Sequence, residues 1–208
     1  MVGRLSFQNE IENLNVEIIK MGALIEQAIE DVITAFKNKD EELAKQIIRK
    51  DREIDDMEKT IEGHCLTLIL RQQPVAKDLR IVSTALKMVT DMERIGDHAA
   101  DIAGIIINLK KNHIYEIIEH IPEMASLAKR MVKGSIEAFV KADTELTKKI
   151  IEIDDEVDRL FKKVKEEVIE MLKKSNDSSD MCVDFLMMAK YFERIGDHAE
   201  NICEWVEF

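Results

Sequence analysis

The sequence is poor in the residues that build loops, cross-links and sheets. Its 208 residues include two prolines, seven glycines, three cysteines and one tryptophan, and aromatics make up 5%. Scarce proline and glycine leave few breaks, and with 35% charged residues the mix favours long solvated helices over strands. Cys65, Cys182 and Cys203 are far apart, odd in number and form no C-x-x-C pair. Neither a disulfide framework nor a thiolate zinc site is expected, and a reducing cytoplasm fits. Basic residues are outnumbered 30 to 42, and the net charge of -12 opposes a sequence-independent grip on nucleic-acid phosphates. Long apolar runs are also missing. The most apolar stretch, Cys65 to Leu70, is too short to span a bilayer, and the N-terminal segment meets acids before an apolar signal region can form. The chain is expected to be cytoplasmic, with no nucleic-acid partner.

What is present is an internal repeat. Ile33–Asp55 matches Ile136–Asp158 at a constant offset of 103 (136 − 33), pairing Ala35 with Ala138, Phe36 with Phe139, Asp40 with Asp143 and Asp51 with Asp154. Leu86–Ile102 matches Leu186–Ile202 at an offset of 100 (186 − 86), and Glu93-Arg94-Ile95-Gly96-Asp97-His98-Ala99 recurs letter for letter as Glu193–Ala199. Apolar residues at alternating steps of three and four, such as Ile11, Leu14, Ile18, Met21, Ile25, Ala28, Val32 and Ala35, mark amphipathic helices packed at shallow angles. Loop signals place helices at about 7–37, 40–71, 75–109, 114–141, 144–174 and 180–207. The predicted fold is all-α, two tandem antiparallel three-helix bundles of six long helices with a pseudo-twofold internal repeat, divided into residues 1–111 and 112–208. Short connections make neighbours antiparallel, so early residues of each middle helix lie beside late residues of the third.

That geometry concentrates acids. Glu93, Asp97 and Asp101 lie at i, i+4 and i+8 on one face of the third helix, and the second copy offers Glu193, Asp197 and the neutral Asn201. The middle helices contribute Asp51 and Asp55, and Asp154 and Asp158. Like charges at this spacing repel, and a hard or intermediate cation such as magnesium, calcium, manganese or iron would remove the repulsion. Salt bridges to Arg94, Arg52 or Lys87 would serve as well, and acidic rows in so charged a chain are often solvated faces. His98 and His198 turn about 100° away from the acidic row, as surface or interface residues. Glu93 and His98 are five apart, unlike the Glu-x-x-His of ferritin-like di-iron sites. Gly96 and Gly196 each cost a helix about 1 kcal/mol relative to alanine, which close helix approach or room for ions would offset. The eleven methionines at helical spacing read chiefly as core. The sequence holds no glycine-rich phosphate loop, no Ser/His/Asp order, no nucleophilic cysteine and no basic pocket dense enough to clamp an anion.

The doubled Glu-Arg-Ile-Gly-Asp-His-Ala segment, together with Arg71-Gln72-Gln73-Pro74-Val75-Ala76-Lys77-Asp78-Leu79-Arg80, resembles the PhoU family, accessory and regulatory proteins of the phosphate-specific ABC transport system. The resemblance spans essentially the whole chain. It implies a non-enzymatic regulator that couples the phosphate importer to a sensor histidine kinase and represses the phosphate-starvation response. It also implies a homodimer that binds the importer's ATPase subunit and reaches the membrane through its partners. Family members bind iron, manganese, zinc or similar cations through Glu/Asp-x-x-x-Asp motifs, which fall here on Asp51 and Asp55, Glu93, Asp97 and Asp101, Asp154 and Asp158, and Glu193 and Asp197. Asn201 stands where the first copy has Asp101, which implies a second site of smaller metal capacity. The competing readings are a carboxylate-bridged, metal-dependent phosphohydrolase and a helical adaptor whose acids are all salt-bridged.

Overall fold

A computed structural model describes residues 2–111, 118–174 and 179–208. Six helices follow in order: α1 (Val2–Asn38), α2 (Glu41–Gln72), α3 (Lys77–Lys111), α4 (His120–Lys141), α5 (Thr144–Lys174) and α6 (Ser179–Glu207). The all-α expectation holds. The fourth helix begins later than the predicted 114: Ile118 and Glu119 are not helical, whereas 114–117 lie outside the described residues. Pro122 explains the late start. It lacks the amide hydrogen that a helix begun at 114 would direct at the Ile118 carbonyl, and it is tolerated in a first turn, where that bond is not needed. Residues 175–178 of the predicted Ser175–Asp180 loop also lie outside the described residues.

The repeat extends to the way the helices stop and restart. Lys39 and Ala142 both take left-handed φ values, 55° and 51°. The amides of Asp40 and Asp143 return to the carbonyls of Ala35 and Ala138, each at 2.9 Å, closing a Schellman turn. Asp40 Oδ1 then accepts from the Leu43 amide at 3.0 Å, and Asp143 Oδ1 from the Leu146 amide at 3.0 Å, satisfying donors at the start of α2 and α5. At the far end of each bundle a histidine and a glutamate lock the first helix to the middle one, with the residue types exchanged. His64 Nδ1 meets Glu17 Oε2 at 2.8 Å, and His120 Nδ1 meets Glu167 Oε1 at 2.7 Å. Glu17 and His120, and His64 and Glu167, are repeat partners at the offset of 103 (120 − 17 and 167 − 64).

The bundles are not separate bodies. Besides the packing within each, α1 lies on α4 and α3 on α6, and buried side chains of all six helices form one core. Helices α1, α3, α4 and α6 make the centre, with α2 flanking one side and α5 the other. Helix α3 is accordingly buried on two faces, through Met88, Met92, Ile95, Ala99 and Ile102 and through Thr84 and His98. Helix α2 buries a single stripe, Ala44, Ile47, Ile54, Ile61, Cys65 and Leu68, and its remaining faces are free to carry charge.

Candidate metal centre

Because α2 and α3 run antiparallel, Asp51 and Asp55 on α2 come opposite Asp97 on α3. Each offers one carboxylate oxygen, and these oxygens lie within 4.8 Å of one another. Two oxygens that share a hard cation at bonds of about 2.1–2.5 Å can be no more than about 4–5 Å apart, so the three already enclose the volume of one ion. Asp51 Oδ1 is buried and has no hydrogen-bond partner among the described residues, which strands an acceptor in a place where its desolvation is costly. Gly96 makes that position possible: a Cβ there would stand 2.9 Å from Ile54 Cδ1 and 3.3 Å from Asp51 Oδ1. A cleft of about 90 Å³ opens beside the same carboxylate.

The electrostatics agree with the geometry. Burial, reinforced by repulsion from Asp97, Asp55 and Asp101, pushes the Asp51 carboxyl up to about 6. Glu93 is raised by burial and by Asp97, against the pull of Arg94. The surrounding cation is Arg94, whose guanidinium lies 2.9 Å from Asp97 and 3.5 Å from Glu93. A stranded buried oxygen, an all-carboxylate donor set and raised acid pKa values together fit a hard or intermediate cation. Asp51, Asp55 and Asp97 would hold it, and it would supply charge neutralisation together with open coordination positions for an outside ligand.

The second copy reproduces the principle with different neighbours. Asp154 Oδ1 is again buried without a hydrogen-bond partner among the described residues and lies 3.1 Å from where a Gly196 Cβ would stand. Burial raises its carboxyl to about 7, and Glu200 is the largest of the repelling charges, ahead of Asp158 and Asp197. Burial and Glu193 raise Asp197 as well. The cation here is Lys190, which pairs with Glu193 and sits 5.3 Å from the Phe161 ring centroid. The motif comparison overlooked Glu200. Its repeat partner is Ala100, and a carboxylate gained directly after the copied segment was the available signal.

Asp101 and Asn201 sit on the seam between α3 and α6. The Asp101 carboxylate lies 3.7 Å from His98 Nδ1, although it still contributes to the repulsion at Asp51. Asn201 Nδ2 donates to Asp91 Oδ1 at 3.1 Å. That same carboxylate accepts from His198 Nδ1 at 2.8 Å and from the Trp205 indole at 3.3 Å. The two histidines are interface residues. Their rings stack at 5.4 Å, His98 also stacks on Tyr191 at 5.4 Å, and the Arg194 Nε–H donates to His98 Nε2 at 3.3 Å. An accepting Nε2 places the ring proton on Nδ1, facing Asp101. Burial, then the nearby His198 and Arg194, hold His98 below the usual histidine range.

Comparisons with known proteins agree with this architecture. The PhoU domain family model matches residues 18–106 and again 121–206. The phosphate-specific transport system accessory protein PhoU homolog of Clostridium acetobutylicum is 39% identical over 97% of this chain and 92% of its own length. Homolog 1 of Thermotoga maritima is 31% identical over 99% and 89%. The crystal structure of PhoU from Pseudomonas aeruginosa superposes with a TM-score of 0.91 at 31% identity, covering 96% of each chain. The phosphate transport system regulatory protein PhoU from Streptococcus pneumoniae gives 0.87 at 29% identity over 96% and 94%. With two family domains across a doubled helical unit and near full-length relatives, the chain belongs to the PhoU family.

Proposed function

We propose that this chain is a metal-binding, non-enzymatic regulator of phosphate uptake and homeostasis, with its repeats dividing between residues 111 and 112. It couples the phosphate ABC importer to a sensor histidine kinase and negatively regulates the phosphate-starvation response. It acts in the cytoplasm as a homodimer and reaches the membrane through the importer's ATPase subunit and the kinase. Its relatives are named as accessory proteins of a phosphate-specific transport system, which supports regulation over catalysis.

The observation that carries the metal reading is the stranded Asp51 oxygen beside Asp55 and Asp97. Iron, manganese, zinc, magnesium or calcium would be held there, and a related ion in the second repeat by Asp154, Asp158, Asp197 and Glu193. Glu93 and Asp101 border the first site, whereas Asn201 turns to Asp91 on the α3–α6 seam. On a chain of net charge -12, clustered cations would bridge to phosphate, anionic headgroups or acidic partner surfaces that the bare protein repels. Metal content of protein purified without chelators, and its binding to the kinase sensory domain and the ATPase subunit before and after chelation, test this together. Equal binding by the stripped and loaded forms would sink the metal-bridge mechanism. Phosphate-ester turnover lost in Asp97→Ala would select the phosphohydrolase instead.

A further inference from the structure

Helix α2 ends and α3 begins through a connection that contains two non-glycine residues in the left-handed region, Gln73 at φ 44° and Ala76 at φ 47°, with Pro74 between them. Such conformations cost of order 1 kcal/mol each. Around this connection apolar side chains are open to solvent. Leu70 is 77% exposed and Val75 74%, with Leu66 and Leu79 also open to solvent. Leu66 and Leu70 are four apart on α2, Val75 and Leu79 four apart across the start of α3, and the antiparallel packing of α2 on α3 brings both pairs to one corner. Beside them an open cleft of about 590 Å³ is lined by Phe7, Pro74 and Val75 together with the polar Gln73, Lys77 and Asp78.

The charge of this corner is opposite to that of the chain. Between Leu70 and Arg80 there are three cations, Arg71, Lys77 and Arg80, and one acid, Asp78, a local balance of +2 (3 − 1) on a protein of -12. Arg71, Lys77 and Arg80 are all exposed, and Arg80 lies 5.8 Å from the Phe208 ring centroid. The loop of the second repeat, Ser175–Asp180, carries neither an apolar residue nor a cation; Lys173 and Lys174 precede it, and the apolar residues flanking it, Ile169, Leu172 and Val183, are less exposed (41, 38 and 58%) than Leu70 and Val75, so the two corners differ in the connection itself.

We infer that the α2–α3 corner is a docking surface for a protein partner that presents an acidic rim around a protruding apolar side chain, which enters the cleft between Phe7 and Val75. Apolar anchors ringed by charge are the anatomy of an interface hot spot. The net negative charge of the chain disfavours an acidic partner over much of the remaining surface, which steers it toward a cationic, apolar corner such as this one and helps to fix its orientation. A concave cleft favours a protein over a bilayer, because a flat lipid surface has no side chain to insert and would bring the acidic body of the bundle against anionic headgroups. The inference rests on the regulator reading, in that it requires such a partner.

The probes are the purified ATPase subunit and the cytoplasmic portion of the sensor kinase, each titrated with the full chain. Val75→Asp is expected to weaken binding of at least one probe tenfold or more, mainly through faster dissociation. Arg71→Glu with Lys77→Glu should slow association and flatten its salt dependence. Val183→Asp, at a comparably exposed apolar residue on α6 (58%), should bind like wild type. Unchanged melting temperatures would show that these exposed substitutions leave the fold intact. Wild-type affinity in both corner variants, or equal weakening by Val183→Asp, overturns the docking assignment alone. A wild-type chain that binds neither protein overturns the regulator reading with it. Capture of phosphatidylglycerol vesicles, lost in Val75→Asp, would make the corner a membrane surface and overturn the protein partner.

Discussion

The two acidic clusters share the segment Glu-Arg-Ile-Gly-Asp-His-Ala yet differ in how their charge is balanced. In the first copy Arg94 stays on its own helix and rests on Asp97 and Glu93. In the second, the identical Arg194 reaches across to His98 on α3, and Lys190 is left to face Glu193. One pair outside the repeated segment accounts for this. Asp91 gathers His198, Asn201 and Trp205, whereas its repeat partner Tyr191 cannot accept three donors and stacks on His98 instead, leaving the His98 Nε2 open to Arg194. A duplicated motif therefore does not make a duplicated site, because the residues flanking the copied segment differ and its Arg194 and His198 meet side chains of the other copy.

The largest effect should appear in metal binding. The first cluster is compact enough to enclose one ion and should fill first in a titration followed by calorimetry. Asp97→Ala is expected to weaken that phase about a hundredfold or more, near 2.7 kcal/mol, and to spare the second phase, which Asp197→Ala removes. If either substitution abolished both phases together, the copies would form a single site and the contrast drawn between them would be wrong.

Next in size is the seam. Asp91→Ala leaves the Trp205, Asn201 and His198 donors without their acceptor, at an expected cost of about 2 kcal/mol, and Asp101→Ala, at an exposed residue, should cost less than about 0.5 kcal/mol. Chemical denaturation of both variants measures the asymmetry directly, and equal losses would contradict it.

The pH dependence of the metal-free protein separates the clusters in another way. Asp51 and Asp154 are raised in the folded state, to about 6 and about 7, above the unfolded carboxylate value near 4. The folded chain therefore binds more protons than the unfolded one. Their stabilising contribution is complete below about pH 4 and is lost as the pH rises through 6 and 7. Melting temperature after chelation should fall between pH 5 and 8, and added metal should flatten that fall by taking the proton's place. Asp51→Asn should remove the lower part of the slope and Asp154→Asn the upper part. A melting temperature that rose over this interval would reverse the sign and discard the explanation.

The smallest contrast is between the glycines. Gly96→Ala drives a Cβ to 2.9 Å from Ile54 Cδ1 and 3.1 Å from Cγ2, an overpacking that outweighs the helix-propensity gain of about 1 kcal/mol and leaves a net loss of about 1 kcal/mol. At Gly196 the nearest atoms are Asp154 Oδ1 at 3.1 Å and the flexible Met131 sulfur at 3.5 Å, so Gly196→Ala should be close to neutral by thermal melting. A neutral Gly96→Ala would show that Ile54 yields.

The fold was readable from the chain because its signals are local and doubled. Aspartates at 40 and 143 cap helices wherever they begin one, and a three-and-four rhythm states which face is buried without reference to a partner. The start of α4 lies later than 114 because the loop signals at Leu109–Asn112 do not mark where the next helix begins, which Pro122 sets through its missing amide hydrogen. The acids of the clusters were also visible, since positions four apart share a face on any helix. The companions of those acids were not. That Glu200 joins Asp154 follows from α6 lying on α5, and that Asp91 claims Asn201 and identical arginines part ways follows from α3 lying on α6, a contact between residues about a hundred positions apart. The sequence by itself determined six helices, their caps and two acidic rows, because each depends on neighbours within a few turns. Only the tertiary structure decided which oxygen is stranded, which cation answers which acid and where the apolar corner opens, because charge and burial are set by whichever helix lies across.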